Sequence, residues 1–243
     1  MNPKEREFLQ AIGIDGVFSP TSLNRLEEPR KTPPLLPQQA QTTAARSLPS
    51  LPNIKTLDEL RTAMAAFEDC SLKKTAMNMV FSDGNPKASL MVIGEAPGAD
   101  EDRQGKPFVG QSGQLLRKIL GFIGIGPDQV YITNVLPYRP PGNRQPTPLE
   151  IELFLPFLQK HIALIRPRCL LLAGGTSCKA LLNTKDGITR IRGRWMDLVV
   201  PELEAPVKTM ATYHPAYLLR SPLRKKDVWQ DMLVLKDFLA AAY

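Results

Sequence analysis

Glu95, Asp100, Glu101 and Asp102 place four carboxylates within eight residues, in a segment that also carries Gly94, Gly98, Gly105, Gly110 and Gly113. Carboxylates at that density can hold or polarise water, and glycine lets backbone N–H groups approach a ligand closely. Phe108, between Pro107 and Val109, is a candidate plate for stacking a planar ring. The same residue types also suit a solvated acidic turn with Phe108 plugging the core.

Asn134 closes an apolar run, and its amide offers one acceptor and two donors, a match for the Watson–Crick edge of a pyrimidine. A strand-end cap is the plainer reading. Arg139, Asn143 and Arg144 follow in a proline-stiffened loop, where the arginines can grip phosphates or stay solvated. His214 follows another apolar run and precedes Pro215; the second histidine, His161, sits inside an amphipathic helix and reads as structural. Leu218 and Leu219 are followed by Arg220, Arg224, Lys225 and Lys226. They suit an apolar wedge into stacked bases with phosphate clamps beside it, or the core leucines of a helix start.

The elements that must position these residues alternate. Short apolar runs predict strands over 89–94, 130–136, 169–173 and 209–213, and helical periodicity predicts helices over 57–67, 112–124, 149–165, 176–182 and 226–242. That alternation implies an α/β fold, a three-layer sandwich with a central, mainly parallel four-stranded sheet flanked by helices. Ligands bind such sheets at the carboxyl ends of the strands. The polar clusters 94–102, 134–144, 174–177 and 214–220 each follow a strand, so four loops point to one rim. Ahead of this domain (54–243), residues 1–19 read as a short amphipathic helix and residues 20–53, with seven prolines, as a flexible linker.

Net charge is +7, and Lys plus Arg exceed acids by 25 to 19 after residue 53, so the positive excess lies mainly on the folded domain. A polyanion partner is compatible with that balance. Three cysteines without CxxC spacing suit reduced thiols in a cytosol rather than a disulfide framework. No apolar run reaches the length of a membrane span, and the charged N-terminus does not resemble a signal peptide. A nucleotide hydrolase lacks its usual marks, since neither GxxxxGK[ST] nor a His/Asp metal cluster occurs.

Taken together, GEAPG–x–DED–x–QGKPFVG–x–SGQLL, ITNVLPYRPPGNRQPTPLE and ATYHPAYLLR resemble the three signature segments of the uracil-DNA glycosylase superfamily. The likeness is to its family-four branch, which usually carries an iron–sulfur cluster, and runs from about residue 67 to 238. It implies a monofunctional repair enzyme that flips uracil out of single- or double-stranded DNA and hydrolyses its N-glycosidic bond. The implied setting is a monomer in the bacterial cytosol, with no membrane contact and with residues 1–19 available to a protein partner. By the resemblance, Phe108 stacks on the base beside Ala96, Pro97 and Gly98. Asn134 bonds the base edge, and His214 stabilises charge on the leaving uracil. Glu95 and Glu101 are water-positioning carboxylates left unranked, and Arg139, Asn143, Arg144, Leu218, Leu219 and Arg220 contact DNA. A catalytically weak lesion-binding member of the same fold is the alternative. The branch trapped covalently on DNA carries a KRRIH-type loop, whereas Thr189–Trp195 here has no histidine. Of the four cluster-ligand positions only Cys70 is cysteine, the others being Phe67, Tyr138 and Phe154. The expectation from those residue types is no cofactor and an apolar plug in its place.

Overall fold

The computed structural model describes residues 3–13, 51, 53–182 and 184–241. Its six strands are β1 (Asp83–Gly84), β2 (Leu90–Gly94), β3 (Val130–Asn134), β4 (Cys169–Ala173), β5 (Trp195–Leu198) and β6 (Val207–Thr212). They form one sheet in the order β1-β3-β2-β4-β6-β5. The four strands expected from the sequence are its parallel centre, and β1 and β5 extend it antiparallel at either edge.

Helices α1 (Pro3–Ala11), α2 (Leu57–Ala66), α3 (Ala99–Gln104), α4 (Gln111–Phe122), α5 (Pro148–Ile165), α6 (Gly175–Leu182), α7 (Ile188–Ile191), α8 (Pro215–Arg220) and α9 (Lys225–Ala240) surround the sheet. Their starts are legible in local chemistry. Thr56 with Glu59 and Thr147 with Glu150 form reciprocal capping boxes, and Pro148 stands in the first turn of α5, where no N–H is needed.

Both faces of the sheet are covered, which is why its central strands are continuous apolar runs rather than alternating ones. Met91 and Ile93 of β2 and Leu170 and Leu172 of β4 face a core shared with Leu60, Phe154, Phe157 and Ile162. Leu90, Val92 and Leu171 face the opposite core with Leu116, Ile119, Trp229 and Leu235. Burying one such side chain stabilises the fold by roughly 1.5–3 kcal/mol.

The N-terminal helix joins the second core. Phe8 lies 4.5 Å from the Trp229 ring and 5.3 Å from Phe122, Leu9 and Ile12 are buried beside it, and the Lys225 ammonium donates to the Ile12 carbonyl. A nine-residue helix too short to persist alone is thus held by its own domain. The predicted linker, apart from Leu51 and Asn53, lies outside the described residues. His161 is structural, as expected. Its Nε2 meets the Tyr131 hydroxyl at 2.7 Å, and burial pushes its pKa down to about 3. No described helix is long and apolar enough to cross a membrane.

Candidate active site

The parallel register sets Gly94 opposite Asn134 and Ala173 opposite Thr212, so the strands end level and their loops meet at one rim. There a pocket of about 410 Å³ opens, walled by Glu95, Phe108, Asn134, Asn143, Arg144 and His214. Ala96, Pro97, Gly98, Glu101 and Arg220 form part of the remaining wall.

Gly94 is required by crowding at the floor. A Cβ there would stand 2.3 Å from Asn134 Oδ1 and 2.7 Å from the Phe108 ring, so amide and aromatic face converge over a residue without a side chain. Phe108 takes φ 52, the left-handed region that costs a non-glycine residue roughly 1–3 kcal/mol. Two interactions hold it. Glu101 Oε1 accepts the N–H groups of Val109 at 3.0 Å and Gly110 at 2.9 Å, and Gly113 leaves room for the Phe108 carbonyl, which a Cβ would approach to 1.8 Å. Phe108 is 4% exposed, and its ring lies 5.8 Å from the His214 ring at 29°.

His214 caps α8. Its Nδ1 accepts the Ala216 N–H at 3.1 Å, which in the neutral ring leaves the proton on Nε2. Burial, reinforced by Arg220 and opposed by Glu101, pushes its pKa down to about 4, so the imidazole is uncharged at neutral pH. The acidic segment divides its labour. Asp100 pairs with Arg103 at 2.6 Å, Glu101 holds the Phe108 loop, and Asp102 Oδ1 accepts the Met77 and Asn78 N–H groups. Glu95 lines the pocket with Oε2 bonded to the Thr176 hydroxyl at the start of α6.

Three candidates stand away from the pocket wall. Leu218 is 0% exposed, packed in the apolar core that α4 and α9 share, so its expected contact with DNA is corrected: nothing of it reaches solvent. Leu219, one residue on, is exposed. Arg139 is bound by Asn143 and faces Asp102 instead of lining the cavity. Beyond the candidates, Ser112, Gln145 and Tyr217 line the wall, and Thr176, in the 174–177 cluster expected at the rim, stands beside it. Tyr217 carried a signal: three positions after His214, it shares its side of the helix.

A mainly parallel sheet with a strand-end pocket of this composition has known kin, and the pattern of the Uracil DNA glycosylase superfamily matches residues 81–233. The chain belongs to that superfamily. It is 38% identical over 182 residues to a type-4 uracil-DNA glycosylase of Archaeoglobus fulgidus, covering 73% of this chain and 90% of that one. Type-4 uracil-DNA glycosylases of Pyrobaculum aerophilum and Thermotoga maritima are each 36% identical, covering 72% and 70% of this chain and 91% and 88% of theirs.

These relatives correct the expectation of no cofactor. They belong to the branch that usually carries an iron–sulfur cluster, so kinship counts for a cluster and overturns an absence read from three residue types. The side chains at those positions are nonetheless aromatic. Phe154 packs 5.8 Å from Phe67 and 6.1 Å from Tyr138, and Cys70 is buried close to Tyr138. Among the described residues no group of three or more His, Cys, Asp or Glu could hold a metal. Four-thiolate ligation does not fit these side chains.

Proposed function

We infer that this protein is a uracil-DNA glycosylase, a repair enzyme that everts uracil from DNA, hydrolyses its N-glycosidic bond and leaves an abasic site. One observation carries the reading: an aromatic face, an amide and a neutral imidazole converge on a single pocket at the sheet's carboxyl rim.

A base inside a duplex is out of reach, so it must leave the stack at a cost of a few kcal/mol. Phe108 supplies the stacking surface that receives it, and the Asn134 amide reads its edge. Bond cleavage puts cationic character on the sugar and negative charge on the base. The Nε2–H of neutral His214 donates to the uracil oxygen where that charge grows, and a preorganised donor of this kind lowers the barrier by roughly 2–4 kcal/mol. Glu95 is the better placed of the two carboxylates to position water. It lies in the pocket with one oxygen held by Thr176, whereas Glu101 is engaged by two backbone donors. Arg220 at the wall, with exposed Leu219 and Leu223 near it in sequence, supplies a basic and apolar edge for the DNA that the base has left. We place the reaction in the cytosol, where thiols such as buried Cys169 and Cys178 stay reduced.

The test uses a uracil-containing oligonucleotide, single-stranded and duplex, followed by hot alkali. Scission at uracil only after alkali supports a monofunctional glycosylase. Tight binding without scission would leave a lesion-binding protein instead.

A further inference from the structure

Arg139 sits beside the pocket without lining it, in a loop whose basic residues suggested phosphate contacts. Its Nε–H donates to Asn143 Oδ1 at 2.8 Å, and a terminal nitrogen faces Asp102 Oδ2 at 4.0 Å. Asp102 is fixed in turn. Its side chain is almost fully buried, its Oδ1 accepts the Met77 and Asn78 N–H groups at 2.8 and 3.1 Å, and the Asn78 amide donates to the Asp102 carbonyl at 2.7 Å.

A guanidinium has five donors and no acceptor, so the Asn143 atom that faces it must be the oxygen. That orientation turns Nδ2 away from Arg139. Asn143 also takes φ 55, in the tight turn Pro141–Asn143, and it lines the pocket. A left-handed backbone and a clamped side-chain oxygen leave the amide little freedom to flip.

We propose that Arg139 is a positioning residue: anchored on Asp102, it grips Asn143 Oδ1 and presents the Asn143 Nδ2 donor to the substrate in the pocket. The inference rests on the glycosylase reading above and deepens it. Arg139 therefore acts through Asn143, while Arg220, exposed at the wall, is placed to meet a phosphate. The side chain of Arg139 is 28% exposed, with its Nε and one terminal nitrogen turned toward protein oxygen.

The experiment compares wild type, R139A, N143A, the double variant and N143D. Single-turnover uracil release is measured beside the salt dependence of binding to an oligonucleotide carrying 2′-fluoro-2′-deoxyuridine, whose fluorine suppresses cleavage by opposing positive charge on the sugar. R139A is expected to slow release by ten- to a hundredfold, with the double variant no slower than N143A and the slope of log Kd against log salt unchanged. N143D keeps an oxygen for Arg139 but loses the donor, so it is expected to be as slow as N143A while melting like wild type. A phosphate clamp gives the opposite pattern, with multiplying effects and a salt slope smaller by about one; that result, or full activity in N143D, would overturn the proposal. Exchange of the Arg139 Nε proton supplies a readout independent of turnover. Protection in wild type that is lost in N143A is expected, and an unprotected proton in wild type overturns the pairing. Should wild type release no uracil, the glycosylase reading falls while this exchange measurement still decides the pair.

Discussion

Replacing Glu101 separates a carboxylate that shapes the pocket from one that meets the substrate. Two backbone N–H groups, of Val109 and Gly110, end on its Oε1 at 3.0 and 2.9 Å, and the side chain is buried. Charge-assisted bonds of this kind contribute about 1.5–3 kcal/mol each, and neutral ones about 0.5–1.5. Against them stands the φ 52 backbone of Phe108, which costs roughly 1–3 kcal/mol. Glu101→Gln keeps an acceptor but loses the charge, a deficit of about 2 kcal/mol in the closed loop, or near thirtyfold in the equilibrium constant for holding Phe108. Glu101→Ala removes both bonds, for about 4 kcal/mol and roughly a thousandfold. Single-turnover release of uracil reads this directly, with binding to abasic DNA as a control that the DNA-facing surface persists. The order wild type, then Gln, then Ala is expected, with both variants folded. If Glu101→Gln is as inactive as Glu101→Ala while Phe108 keeps its place in a crystal structure, the carboxylate acts chemically and the positioning argument is wrong.

His214→Ala is expected to slow cleavage by about a hundred- to a thousandfold, as removal of one preorganised donor does. Because its folded pKa of about 4 lies below the ordinary 6.5, the stability its neutral form contributes is complete above pH 6.5 and lost as pH falls toward 4; a break in the wild-type rate near 6.5 that His214→Ala abolishes would contradict a neutral ring. Leu218→Ala, in a fully buried site, should cost about 2–5 kcal/mol and lower Tm. Leu223→Ala should leave Tm unchanged and slow excision from duplex but not single-stranded DNA, and equal loss on both substrates would remove Leu223 from the stack. Phe8→Ala should lower Tm and shift Trp229 fluorescence to the red, since the ring 4.5 Å away is replaced by solvent; unchanged emission would mean that α1 does not dock in solution.

Much of the site was legible because strand ends are local events. Gly94 and Asn134 close apolar runs, and the rule that parallel sheets bind at their carboxyl ends then joins them to His214. What the residue types withheld was which neighbour each side chain finds. Glu95 and Glu101 look alike in a glycine-rich acidic loop, and only the fold decides that one meets Thr176 and the other two amides. Leu218 and Leu219 differ by a single step around a six-residue helix, too short to show a phase, so packing against α4 settled which is buried. The edge strands escaped notice for another reason. β1 has two residues, and β5 is half solvated, so neither has the continuous apolar run of a central strand.

Asp100, Glu101 and Asp102 leave α3 at successive rotations of about 100° and fasten to three unrelated places: an arginine on the same helix, the backbone ahead of α4, and the chain at Met77. An insertion or deletion of one residue here would hand each acid its neighbour's address. The short helix therefore works like a three-pin plug, where a change at one pin loosens one connection but a shift in their count misplaces all three.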